Sequence, residues 1–238
     1  MRKPKSDSIR VSAKHLSGVE GCPRCFYIQT HAKKNIPYSI FPSVFIDFDV
    51  ATKKAIHSYF DSYGKMPNWL GELGPIEKYL EAPHWSKLSL DKYGIIMSGS
   101  PDGLMKSADG KLMVLDYKTA HYKGYDDPLF RMYEVQMNAY AFLLELLGHG
   151  EVGKMALIYM HPSKDASVSE NGLNIEFVSH ILEVQKKLDI IEPLMQKAAE
   201  ILYGDIPLGK EGCKECENVV KFGSVGKNQK NINKSIDD

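Results

Sequence analysis

The chain has 238 residues, 43% hydrophobic and 25% charged, with 30 basic side chains against 30 acidic ones and a formal net charge of zero. This supports one sizeable core without requiring two domains, and it excludes a disordered chain. The neutral balance also excludes capture of a polyanion by overall charge, so any such contact must come from local distribution.

The first 34 residues carry that local bias: Arg2, Lys3, Lys5, Arg10, Lys14, Arg24, Lys33 and Lys34 stand against Asp7 and Glu20, an excess of +6. Contact with phosphates and a solvated basic arm both fit it. The opening run Met1-Arg2-Lys3-Pro4-Lys5-Ser6-Asp7 has no apolar signal region, and no stretch approaches transmembrane length; the expectation is a cytoplasmic protein that does not enter a membrane.

In chain order, Ser12–Ile28 reads as a short helical segment capped by Ser12, and residues 35–46 as loop. Asp47 or Asp49 opens a helix that runs to Tyr63, with Ile56 and Phe60 on its apolar side. Gly64–Pro83 is a Gly/Pro/Trp-rich connector with a short helix around Ile76–Leu80. Strands follow at His84–Leu90, Tyr93–Lys106 and Lys111–Thr119. Asp126 or Asp127 caps the next helix, Pro128 suits its first position, and Gly148 ends it. Lys154–Met160 and Leu173–Ser179 read as strands, and residues 180–203 as helix broken at Pro193. The resulting division is a basic N-terminal segment (1–46), a core (47–203), a C-terminal segment (204–218) and a disordered tail (219–238).

Ser107-Ala108-Asp109-Gly110-Lys111 suits a three-residue hairpin loop, with Gly110 in the left-handed position. If residue 107 faces 111, counting outward sets Asp102 opposite Asp116. Strand alternation then puts Asp116 and Lys118 on the same face. Two carboxylates side by side repel each other unless a cation lies between them, and an oxygen-rich site suits Mg²⁺ or Mn²⁺. One helix further on, Gln136 and Tyr140 are four apart and share a helix face; the plainer alternative is an exposed glutamine and a core tyrosine. The four cysteines form two C-x-x-C pairs, Cys22/Cys25 and Cys213/Cys216, which suit either structural Zn²⁺ or a [4Fe–4S] cluster.

Pro101-Asp102 followed by Asp116-Tyr117-Lys118 resembles the motif of the PD-(D/E)xK nuclease superfamily. Gln136 with Tyr140 resembles the Q-x-x-x-Y element of its RecB-like branch, which includes CRISPR-adaptation and AddB-type nucleases. The resemblance implies an α/β fold, a central mixed β-sheet flanked by helices as in restriction endonucleases, with the terminal segments joined by a four-cysteine metal site. It implies a metal-dependent deoxyribonuclease of repair, recombination or defence, with DNA as partner. It also implies roles: Asp102, Asp116, His57 and the Tyr117 backbone carbonyl for Mg²⁺ or Mn²⁺, Lys118 for the attacking water, and Gln136 and Tyr140 for substrate. Asp61 is the substitute for His57, because the glycine that usually precedes that histidine is missing. Relatives tie their first and last segments together with a cysteine-held [4Fe–4S] cluster, normally by one cysteine and then three; the two-plus-two pattern here keeps Zn²⁺ as the alternative. Two other classes compatible with the residues are a non-catalytic zinc-stapled nucleic-acid-binding module and a small-molecule metallohydrolase.

Overall fold

The computed structural model describes residues 8–32 and 42–221. Arg2, Lys3, Lys5, Lys33, Lys34, residues 35–41 of the expected loop and 222–238 of the expected tail lie outside it, whereas 43–46 and 219–221, expected as loop and disordered tail, are helical. The elements run β1 (Ile9–Ser12), α1 (Ala13–Leu16), α2 (Pro23–Ala32), α3 (Ser43–Tyr63), β2 (Ile76–Leu80), β3 (Ser89–Lys92), β4 (Ile95–Ser98), β5 (Gly103–Ser107), β6 (Leu112–Lys118), α4 (Phe130–Leu146), β7 (Val152–Ser169), β8 (Gly172–Glu183) and α5 (Ile191–Tyr203). Residues 214–221 are also helical.

The β5–β6 hairpin organises the molecule. Ser107 N donates to Lys111 O at 2.9 Å, Gly110 takes φ 83°, and the ladder pairs Gly103 with Leu115, Leu104 with Val114, Met105 with Met113 and Lys106 with Leu112. That register, continued by one residue, sets Asp102 level with Asp116. The five-stranded sheet has the order β2-β5-β6-β7-β8. Only β6 and β7 are parallel, with Asp116 beside Leu157 and Lys118 beside Tyr159. A parallel pair needs a long crossover, and α4 provides it.

Alternation along β6 splits the interior into two cores. Leu112 and Val114 join Leu157, Val135, Met137 and Leu143 on the α4 side. Met113, Leu115 and Tyr117 join Ile56, Leu70 and Ile158 on the α3 side. Asp116 belongs to the Leu112/Val114 face, so an acid projects toward the larger of the two cores. Such an acid must be neutralised or paired.

Several sequence expectations give way to tertiary context. Ile76–Leu80 is a strand, antiparallel to β5, with Tyr79 opposite Met105 and Leu80 opposite Leu104; five residues cannot sustain a helix when an unpaired sheet edge is available. Ser12–Ile28 is interrupted: β1 pairs in parallel with β4, and Gly18, Gly21 and Pro23 separate α1 from α2. The proposed strand at 93–106 is two strands, because Tyr93 (φ 56°) and Gly94 (φ 79°) form a tight turn from β3 into β4 and Gly99–Asp102 then carries the chain between sheets. Only Ser89 and Leu90 of the expected 84–90 strand are in β3. The β7–β8 ribbon outruns both expected strands, with a register shift between Pro162 and Ala166. β8 continues to Glu183, inside the span read as helix. Pro193 does not break α5, since it lies in the first turn, where backbone N–H groups have no partner within the helix. Among the described residues no helix is long and apolar enough to cross a membrane.

Candidate active site

Asp116 is 2% exposed, and both its oxygens are addressed. Lys118 Nζ lies 2.5 Å from Oδ2, and Gln136 Nε2 donates to Oδ1 at 3.1 Å. The same Nε2 donates to Tyr140 Oη at 2.7 Å, while Gln136 Oε1 accepts from Lys118 Nζ at 3.4 Å. The ammonium also stands 4.4 Å from the centre of the Tyr133 ring, a cation–π contact. The helix supplies Tyr133, Gln136 and Tyr140 from one face because they are three and four residues apart.

Asp102 is pinned differently. It precedes β5, and its Oδ2 accepts from Tyr117 N at 3.1 Å, so a side chain takes the place of a ladder carbonyl. Oδ1 meets Lys53 Nζ at 2.6 Å, and the same ammonium lies 2.6 Å from Asp49 Oδ2. Burial works against the charge on Lys53, but its bonds to Asp102 and Asp49 prevail and raise its pKa.

The structure therefore joins Asp116, Lys118, Gln136 and Tyr140 into one network, with Asp102 beside it through the Tyr117 backbone. His57 stands outside that network. It lines an open pocket with Lys53, Tyr79 and Asp102, but its Nε2 faces Asp61 Oδ1 at 3.8 Å and its ring packs against Tyr79 at 4.6 Å. Lys53, Asp49 and Tyr133 were missed by sequence reasoning. A signal for the first two existed: Asp49, Lys53, His57 and Asp61 recur every four residues and form one polar stripe on α3. Tyr133 could have been found three residues before Gln136.

Burial pushes the Asp116 carboxyl up to about 6; Lys118 opposes this, Asp102 adds to it and Lys53 opposes it. Burial likewise raises Tyr140, with the Asp116 charge adding to it. Asp116 Oδ2 has only the Lys118 ammonium beside it, an ion pair without hydrogen-bond alignment. A hard cation suits this donor set, because it would satisfy that oxygen and relieve the repulsion between the two acids.

The site leans on close backbone approach at Gly99. A Cβ there would come within 2.5 Å of Tyr140 Cε1 and 2.9 Å of Ala13 Cβ. Gly99→Ala should therefore displace the Tyr140 ring and cost about 1–3 kcal/mol of stability, read as a lowered denaturation midpoint. An unchanged midpoint would show that the ring is free to give way.

A second cluster lies apart from these acids. Cys22, Cys25, Cys213 and Cys216 place their ligand atoms within 4.8 Å of one another, the one group of its kind among the described residues. Burial raises the Cys22 thiol, but N–H groups of Lys210 and Cys25 outweigh that and bring it to about 6. Of the basic segment, Arg10 lies over the Trp85 ring at 5.4 Å, and Arg24 lines a small pocket with Cys25 and Cys216.

The site thus consists of a mixed sheet with a buried acid, a second acid level with it and a lysine two residues on. The chain belongs to the PD-(D/E)XK nuclease superfamily, which matches residues 65–218, and membership implies metal-dependent phosphodiester hydrolysis. Among solved structures it is similar to one titled "Crystal structure of SSO0001", with 13% identity and a TM-score of 0.46 over 86% of this chain and 80% of that one. No curated protein matches it in sequence.

Proposed function

We propose that this chain is a deoxyribonuclease of the RecB-like kind, acting on DNA in the cytoplasm. The observation that carries the reading is the buried Asp116, held by Lys118 and Gln136 and level with Asp102. Gln136 bonded to Tyr140 supports the branch, and four cysteines gathered as a candidate metal site fit a reducing compartment.

Asp102, Asp116 and the Tyr117 backbone carbonyl would hold Mg²⁺ or Mn²⁺, with His57 turning in from the pocket wall as a nitrogen donor. The bound ion supplies Lewis acidity and a water of lowered pKa. The protein's own groups do the rest. Gln136 fixes the orientation of Asp116. Lys118, held between Asp116, Gln136 and the Tyr133 ring, offers its ammonium to the developing charge on phosphorus-bound oxygen. Tyr140 and Gln136 border the place where a phosphate must lie.

The test is incubation of the full chain with end-labelled single-stranded, duplex and circular DNA and with RNA, with and without Mg²⁺ or Mn²⁺. Metal-dependent loss of DNA is the expected result, and cleavage of the circle would assign endonuclease action. Failure on every substrate with both ions would sink the proposal, and cleavage of RNA alone would sink its DNA specificity.

Lys53 gives a companion prediction. Its ammonium holds the Asp102 oxygen that an ion needs, so Lys53→Met should tighten Mn²⁺ binding about tenfold, the worth of one half-buried ion pair. Calorimetric titration would measure it. His57→Ala should move the same titration the other way. Weaker binding by Lys53→Met would mean that the lysine keeps Asp102 in place instead of competing for it.

A further inference from the structure

The cysteine cluster has a spacing that discriminates between its candidate occupants. Cys22 Sγ lies 3.6 Å from Cys216 Sγ, and Cys25 Sγ lies 3.5 Å from both Cys213 and Cys216. With all four sulfurs inside 4.8 Å, they converge on a single point. Four thiolates around one tetrahedral Zn²⁺, each about 2.3 Å from the ion, stand about 3.8 Å apart. In a [4Fe–4S] cubane every cysteine binds a different iron and points away from the cluster, so the sulfurs are spread wider than the irons themselves. The cluster implied by the resemblance does not fit sulfurs this close.

The surrounding backbone points the same way. A Cβ at Gly209 would come within 3.0 Å of Cys216 Sγ, so the chain is already pressed against that sulfur. The next residue donates Lys210 N to Cys22 Sγ at 3.4 Å, the kind of bond that steadies a metal-bound thiolate. Two of the four sulfurs are thus closed over by residues 209–210, and a cubane would require both that segment and the two C-x-x-C turns to retreat.

We infer that Cys22, Cys25, Cys213 and Cys216 form a mononuclear zinc site, and that this chain holds its distant segments together with one redox-inert ion. The single-ion spacing excludes the cubane, and zinc is inferred over a lone iron because four cysteines are a usual ligand set of structural Zn²⁺. The assignment is independent of the nuclease reading, since neither the acids nor Lys118 enters it.

The experiment is metal analysis of the full chain purified without oxygen from cells supplied with both iron and zinc, followed by replacement with Co²⁺. The expected result is one zinc per chain, no visible absorption and no acid-labile sulfide. The Co²⁺ form should show the strong thiolate charge-transfer and visible bands of a tetrahedral four-sulfur site, and one equivalent of Zn²⁺ should abolish them. Cys213→Ser should lose the ion, and the cobalt spectrum of the unaltered chain keeps the test decisive if that variant does not fold. Four irons with labile sulfide would overturn the inference. So would a single bound iron, or a chain that takes up neither zinc nor cobalt.

Discussion

Lys118→Ala should lower the single-turnover rate of DNA cleavage about 10²–10³-fold, the usual cost of removing one preorganised donor from a developing charge. The loss has two sources. The ammonium no longer faces the reacting oxygens, and Asp116 loses the neighbour that most opposes its protonation. Burial and the Asp102 charge then act on that carboxyl with less restraint, so it holds its proton to higher pH. The residual activity of the variant should therefore climb with pH across a range where the unaltered protein is already level. Rates measured from pH 6 to 9, at a temperature below both denaturation midpoints, give both results. Equal rates at pH 7.5 would remove Lys118 from the reaction, and a lowered rate with an unshifted profile would separate it from Asp116.

Asp116→Asn should abolish cleavage and at the same time stabilise the protein when divalent ions have been removed over a chelating resin. In the folded chain the Asp116 pKa is about 6, against 3.8 for the free side chain. The folded state thus binds the proton more tightly than the unfolded state does. Stability is highest below the unfolded pKa, falls as pH rises between the two values, and stays low above about 6. The cost of the charge above that point is on the order of 3 kcal/mol. A neutral asparagine of the same shape avoids it, so the variant should melt several degrees higher at pH 7.5 and level with the unaltered protein near pH 4. Added Mn²⁺ should raise the midpoint of the unaltered chain and leave the variant where it was. A variant that melts lower at pH 7.5 in metal-free buffer would show that Asp116 is a structural ion-pair partner and not a strained ligand.

Legibility in the sequence followed the range of the forces involved. The β5–β6 register was readable because Gly110 and the alternation of Leu112, Val114 and Asp116 are local, and with it came the placement of Asp102 against Asp116. The Gln136–Tyr140 pair was readable because helical spacing alone sets it. The group on α3 that meets Asp102 was not. Lys53 and His57 lie on the same stripe one turn apart, and the choice between them depends on how far along its axis the helix lies against the sheet. Ile76–Leu80 was ambiguous because five residues fit either period, and the exposed edge of β5 decided it. The outer β7–β8 ribbon escaped because Ser163, Lys164 and Asp165 look like loop; they form the irregularity between Pro162 and Ala166, and only the partner strand shows that pairing resumes from Ala166 to Ser169. The cysteine pairs were visible as pairs, whereas the closeness of their sulfurs is a property of the folded chain.

That closeness also orders events in time. Cys22 and Cys216 are separated by 194 positions, so on the ribosome the first pair must wait, unligated, until nearly 190 further residues have been made. The waiting segment is not a bystander: Ala13 packs at Gly99 beside the Tyr140 ring, and Arg131 of α4 bonds Glu20 at 2.8 Å. One wall of the site is thus built from the segment that carries the first cysteine pair. A chain that ends before Cys213 carries Asp102, Asp116 and Lys118 but only half of the four-cysteine cluster.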